Sequence, residues 1–317
     1  MTVLASGSKG NSTVVASGTT RILVDAGLSC REILRRMALA GEDPVELNAI
    51  LITHEHVDHI AGLAVLARKL RIPVFFTEQT HRAWVRMLTP RKTMSYAKWL
   101  DKMQQEKEAR AALVASQVET DTLVEEPLPV DESSSTEEAR PATKADPTFL
   151  PAVEYFRAGH NFCIGDIDVN PFTIPHDAAD PCGFVFHARQ ESIRMAIATD
   201  LGYIPPNVKL ALRNVDVLLL ESNHDLEMLK DGPYPWSVKQ RVLSRVGHLS
   251  NHAAAEFLLR DYDGSAHTIV LGHLSESNNL PELARLAAEQ AISNRMTLLG
   301  NRVVLAAQDA PLDPICL

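Results

Sequence analysis

Residues 47–59 read LNAILITHEHVDH, a near-continuous apolar run that ends abruptly in His54-x-His56-x-Asp58-His59. An unbroken apolar run of this length fits a strand covered on both faces. A loop leaving the end of such a strand can turn four side chains toward one point. His54 and His56, two apart, can grip one ion while Asp58 and His59 reach a second beside it. Two ions about 3.5–4 Å apart can share a hydroxide that is a nucleophile at neutral pH. The plainer alternative is a polar loop with Asp58 as a helix cap, but three histidines contribute nothing to a cap.

The rest of the chain repeats the same grammar. TVLAS, STVVAS and TRILVDAG predict short strands, CREILRRMALA a helix, IAGLAVLARKL a helix with Leu63, Leu66, Ala67 and Leu70 on its apolar face, and PVFFT a strand. After residue 150, VEYFRAG, DIDVNPFTI, GFVFHA, SIRMAIATD, VDVLLLES, HTIVLG and RVVLAA predict strands. WSVKQRVLSRV, HAAAEFLLR and PELARLAAEQA predict helices among them. Two runs of strands, each trailed by helices, point to an α/β architecture of two sheets face to face with helices outside. Only 5% of the 317 residues are aromatic, so Val, Ile, Leu and Ala must build the core.

The net charge of −9 is unevenly spread. Residues 119–146 hold nine acids against Arg140 and Lys144, so this tract carries −7 and the remainder only −2. An acidic total concentrated in one tract does not exclude a phosphate-bearing substrate. Residues 91–117 are charged and helix-prone. The stretch 119–147 is poor in large apolar groups and rich in Glu, Pro, Ser and Thr, which predicts a disordered surface insertion, with an ordered lid or a protein-docking element as the alternative. The whole is read as one domain, 1–317, interrupted by an insertion at 91–148. No apolar run is long enough to cross a membrane, no basic leader precedes VLAS, and Cys30, Cys163, Cys182 and Cys316 form no CxxC pair. A cytoplasmic protein with reduced thiols and no membrane partner is expected.

The order of the polar strand ends resembles the metallo-β-lactamase superfamily, whose pattern is an Asp after an early strand, then HxHxDH, then single His, Asp and His residues. Here LVDAG supplies Asp25, HEHVDH the central motif, IPHDA His176, IATD Asp200 and VLGH His273. The resemblance implies the αββα sandwich of that superfamily, two mixed sheets with helices outside. It also implies that His54, His56 and His176 hold one metal, that Asp58, His59 and His273 hold the other, and that Asp200 bridges them. Asp25 would brace the HxHxDH loop from behind. With N and O donors and no thiolate, the donor set suits Zn²⁺, Mn²⁺ or Fe²⁺.

LASGSKGNST, HEHVDHIAG, SNHDLEML, GHLSN and GHLSESNN are similar to the YycJ/WalJ-type branch, which is associated with DNA exonuclease activity. LLLESNHD and GHLSNHAAAEF resemble elements of ribonuclease Z-type phosphodiesterases. Carried over, they make Glu221 and His248 a carboxylate–imidazole dyad able to protonate a leaving alkoxide. The plainer reading has Ser250 or Asn251 capping the next helix and His248 merely exposed. SGSKGNS, with Ser6, Ser8, Lys9 and Asn11, could cradle a phosphate or be a simple hairpin turn; Asn223, His224 and Asp225 could touch substrate.

The resulting expectation is a dinuclear-metal hydrolase, a phosphodiesterase acting on DNA as a 5′-directed exonuclease by attack of metal-bound hydroxide. Two other classes remain open. One is a small-molecule hydrolase of cyclic phosphodiesters or thioesters, favoured by the lack of a basic or aromatic-rich nucleic-acid module. The other is a metal-binding regulatory protein with little turnover, against which the intact ligand set argues.

Overall fold

The computed structural model describes residues 1–89, 98–101, 103–108, 146–293 and 301–317. Most of the acidic tract, and with it the expectation of disorder at 119–147, lies outside the described residues. The chain divides into two compact units, Met1–Leu88 with Pro147–Leu317, and Thr89–Asp146. Residues 98–101 and 103–108 of the second unit are helical, in line with the helix-prone composition there.

The first unit holds two mixed sheets. In one, β1 (Thr2–Ala5), β2 (Ser12–Ala16), β3 (Arg21–Val24), β4 (Ala49–Leu51), β5 (Val74–Thr77) and β6 (Val153–Phe156) lie in that order. In the other the order is β13 (Arg302–Leu305), β12 (Thr268–Gly272), β11 (Val217–Glu221), β10 (Ile193–Ala198), β9 (Cys182–Ala188), β8 (Ile167–Thr173) and β7 (Phe162–Ile164). Strands β3 to β6 are mutually parallel, as are β10 to β13.

The alternation of side chains along each strand sorts the core into layers. Val217, Leu219, Val270 and Ile197 join Val24, Leu51, Phe184 and Phe186 between the sheets. Their sequence neighbours Leu218, Leu220, Ile269, Leu271 and Ala196 face the opposite way. There they pack with α8 (Asn251–Arg260) and α9 (Pro281–Ser293). On the far side of the first sheet, Leu23, Ile50 and Ile52 meet α1 (Cys30–Leu39), α3 (Leu63–Leu70) and α4 (Glu78–Leu88). The unbroken apolar runs of β4, β11 and β12 follow from this layering, since these inner strands are covered on both faces. Burying one such Leu or Ile contributes about 1.5–3 kcal/mol.

The sequence misses several elements. Helix α4 is amphipathic through Thr80 and Trp84, yet its charged and aromatic composition hides the period. The hairpin strand β7 is only three residues long. The short helices α5 (Pro206–Ala211) and α6 (Leu226–Asp231) sit in loops after β10 and β11, α6 being capped by the Asp225 carboxylate. The expected helix in WSVKQRVLSRV is α7 (Trp236–Val242). In the parallel sets, the C-terminal ends of β3, β4, β10, β11 and β12 point into one region, and the polar bursts of the sequence meet there.

Candidate metal centre

The HxHxDH loop leaves β4 and runs into α2 (Val57–Ile60), whose N-cap position is His56 and carries no side-chain cap bond, so Asp58 is not spent on capping. The loop is clamped from behind. Asn11 N donates to Asp58 O at 2.7 Å and Ala26 N to His59 O at 2.8 Å. Gly27 is compulsory here, because a Cβ on it would stand 1.6 Å from Asp58 O.

Four imidazoles are anchored through Nδ1. His59 Nδ1 lies 2.8 Å from Asp25 Oδ2, His273 Nδ1 2.8 Å from Glu221 Oε1, His54 Nδ1 3.0 Å from Thr53 Oγ1, and His176 Nδ1 3.2 Å from Gly247 O. Each ring therefore keeps Nε2 for the centre, the arrangement that outer hydrogen bonds impose on metal-ligating histidines. The fifth, His56, faces inward by Nδ1, 3.2 Å from His176 Nε2.

The inward atoms form overlapping groups whose members lie within 4.8 Å of one another: His54, His56 and His176; His54, His59 and Asp200; Asp58, His59 and His273; Asp200, Glu221, His248 and His273. His54 Nε2, His273 Nε2 and Asp200 Oδ2 are buried without a hydrogen-bond partner. An unpaired buried polar atom costs about 1–3 kcal/mol, so three in one spot demand an explanation. A divalent cation pair supplies one, and the donors fit it. None of the four cysteines belongs to these groups.

The field at the centre is that of a cation site. Burial works against charge on His59 and His273, but Asp200 outweighs it, joined by Asp25 and Asp58 at His59 and by Asp58 and Glu221 at His273. Both imidazoles are held well above their usual value. His54, fully buried, is pushed well below it by that burial. Three residues here adopt left-handed backbone, Asp25 at φ 60°, Asp200 at 61° and His273 at 56°. Such conformations are uncommon outside glycine and cluster at functional sites.

Asp25 is 4% exposed, as its expected place behind the loop requires; it accepts hydrogen bonds from Thr53 N at 2.9 Å and Thr53 Oγ1 at 2.8 Å. Glu221 and His248 do meet, Nδ1 to Oε1 at 2.8 Å, while Ser250 caps α8 by accepting from Ala253 N. Both the Ser250 cap and the Glu221 contact are present, and His248 is half-buried where the plainer reading had it merely exposed. Burial would raise the Glu221 carboxyl, yet the imidazoles of His248 and His273 outweigh it and hold it at about 2.

The SGSKGNS turn splits. Ser8 and Lys9 are exposed, with Lys9 Nζ 2.6 Å from Glu276 Oε2. Ser6 and Asn11 are buried, which departs from the open phosphate cradle expected of them. Ser6 Oγ accepts from His273 N at 2.8 Å, and Asn11 Nδ2 lies 3.1 Å from His59 Nε2 and 3.3 Å from Asp58 Oδ2. His224 is 1% exposed, held at about 4 by burial, and its Nε2 has no partner. Thr53, Gly27, Asp177 and Asn279 were not singled out by sequence; Asn223 was, and it is buried, its Nδ2 donating to His273 O at 2.8 Å. Thr53 and Asp177 adjoin motif histidines, which was the available signal.

The sequence profile of the Metallo-beta-lactamase superfamily matches residues 5–273. The chain belongs to the metallo-beta-lactamase superfamily. It is 35% identical over 284 residues to "Exodeoxyribonuclease WalJ" of Streptococcus pneumoniae serotype 2 (strain D39 / NCTC 7466), covering 90% of this chain and 84% of that protein. It is 33% identical over 293 residues to "Exodeoxyribonuclease YycJ" of Bacillus anthracis, covering 92% and 89%. The metallo-beta-lactamase fold protein YhfI from Bacillus subtilis superposes with a TM-score of 0.60 at 14% identity, over 98% of this chain and 97% of that one, a likeness of fold. No helix among the described residues is long and apolar enough to cross a membrane.

Proposed function

We propose that this member of the superfamily is a metal-dependent phosphodiesterase that degrades DNA from an end, in the 5′-directed sense. The observation that carries the reading is the set of imidazoles fixed through Nδ1 around three partnerless buried atoms, next to a Glu221–His248 pair. The names of the two relatives supply the substrate class. His54, His56 and His176 would hold one ion, Asp58, His59 and His273 the other, and Asp200 both. Zn²⁺, Mn²⁺ and Fe²⁺ all suit these N and O donors.

When bound, such an ion pair supplies Lewis acidity to the phosphate and acidifies a water. The remaining work belongs to the chain. Glu221 fixes the ring of His248 through Nδ1, which leaves Nε2 to hand a proton to the departing sugar oxygen. Asp25, Thr53 and Asn11 keep the HxHxDH loop from relaxing. Ser6 holds the backbone of His273, while Ser8 and Lys9 stand at the exposed end of the same turn, where a phosphate would compete with Glu276 for Lys9. We further read residues 91–148 as an insertion into a single catalytic domain, able to dock a protein partner.

Digestion of 5′- and 3′-labelled linear DNA and of covalently closed circular DNA by metal-reconstituted protein tests the proposal. Mononucleotide release from linear DNA alone, starting at the 5′ end, is expected. Cleavage of the closed circle, or turnover confined to cyclic diesters or thioesters, would overturn it.

A further inference from the structure

The missing feature for a nuclease is a surface that holds the strand, since the sequence carries no long basic run. In this acidic chain, however, the 24 residues 232–255 contain Lys239, Arg241 and Arg245 and not one Asp or Glu. Residues 201–215, the loop after β10 with α5, likewise contain Lys209 and Arg213 and no acid.

The fold brings these two stretches together beside the metal cluster. Asp177 N donates to Val246 O at 3.2 Å, His176 Nδ1 lies 3.2 Å from Gly247 O, and Arg241 Nε lies 2.5 Å from Asp177 Oδ2. Gly202, two residues past Asp200, packs so closely that a Cβ on it would stand 2.4 Å from the Arg245 carbonyl carbon. Within this seam the Arg245 guanidinium lies over the Tyr203 ring, 4.2 Å from its centroid. Stacking fixes the plane of the guanidinium and leaves its N–H edge free. Among the described residues neither Arg245 nor Lys239 has a carboxylate in ion-pair reach; Lys239 Nζ rests on Lys230 O. Trp236, at the start of α7, is 66% exposed. Its face is open to a stacked base.

We propose that the flank formed by α7, Arg245 and Tyr203 binds the phosphate backbone of the DNA strand whose end lies at the metal cluster. This rests on the nuclease reading above and names its strand-holding surface. Arg245, preset by Tyr203, and Lys239 each take a phosphate, while Trp236 stacks on a base. Cations free of carboxylate partners, in two stretches without a single acid, are what such a substrate selects.

The test is fluorescence anisotropy of metal-loaded protein with a fluorescein-labelled, phosphorothioate single-stranded oligonucleotide, titrated at several salt concentrations. For wild type, log Kd should rise steeply with log salt. Joint replacement Lys239→Ala with Arg245→Ala should weaken binding about tenfold or more and flatten the slope by about 0.7 for each phosphate no longer neutralised. Tyr203→Leu should weaken binding in the same direction. Arg35→Ala, which removes an exposed cation of α1, should leave binding and slope unchanged. If wild type turns DNA over but the double variant binds like Arg35→Ala, the flank proposal falls alone. If wild type neither binds nor degrades DNA, the nuclease reading falls and the flank with it.

Discussion

Glu221 and His248 are joined by a 2.8 Å hydrogen bond from Nδ1 to Oε1, and that same oxygen lies 2.8 Å from Nδ1 of His273. The other oxygen, Oε2, accepts from Leu201 N at 2.8 Å and Leu249 N at 3.2 Å. One fully buried carboxylate thereby fixes a candidate ligand ring and a candidate acid ring together.

A sugar alkoxide needs a proton to depart, whereas an activated aryl oxide does not. We expect His248→Ala to retain its metals and to lower DNA hydrolysis by about 10²–10⁴-fold, the usual worth of general acid–base help. Hydrolysis of an aryl phosphodiester should fall far less. Steady-state rates on both substrates, with metal content by mass spectrometry, decide the matter; equal losses would give His248 a shaping role instead.

At Asp200 the backbone has φ 61°, which Asn tolerates better than Ala. Asp200→Asn therefore removes charge without forcing the strand end to move. It should lose at least one metal per chain and with it the activity, because Asp200 stands in two of the overlapping donor groups. Two ions retained at wild-type affinity would reject a shared role.

Asp25 illustrates a residue that acts through others. Asp25→Ala leaves Thr53 N and His59 Nδ1 without their buried acceptor and puts a Cβ-bearing residue with no polar compensation at φ 60°. A loss of about 2–4 kcal/mol in urea unfolding is expected, together with a 10–100-fold fall in metal affinity. Asp25→Asn should lose less stability, since its amide oxygen can still accept from Thr53.

Burial pushes the Cys182 thiol up to about 12. The folded state thus disfavours the thiolate. The stabilising contribution is intact below the ordinary thiol value of 9.0 and declines as pH rises above it toward about 12. Alkylation at pH 9 followed by peptide mapping should mark exposed Cys163 and Cys316 and spare Cys182 until the protein is unfolded. Rapid labelling of Cys182 in folded protein would contradict its placement in the inner layer.

His54, His56, Asp58 and His59 were legible because their chemistry is compressed into six residues after an apolar run. Asp25, His176, Asp200 and His273 are single polar residues, and only their order along a series of strand ends gave them meaning. The layered sheets were legible for a related reason: a strand covered on both faces writes itself as an unbroken apolar word. Thr53, Gly27 and Asn279 escaped because bracing depends on what a side chain meets after folding. Asn279 Nδ2, for example, donates to the carbonyls of Ser222 and Asn223, far away in sequence. Ser6 and Asn11 were recognised as important but given an outward task, since a turn's composition does not say which way its side chains point.

The clamp around the HxHxDH loop has a consequence for the order of events during translation. Asn11, Asp25, Gly27 and Thr53, which hold that loop, all precede it in the chain, whereas His176, Asp200, Glu221 and His273 are synthesised only after the second sheet begins. A nascent chain on the ribosome therefore possesses the partners that brace His54, Asp58 and His59 before the later residues exist, whereas His56 meets His176 only afterwards. On the proposed ligand set, metal capture at full coordination, and with it any danger to nearby DNA, would wait until β12 and His273 have emerged.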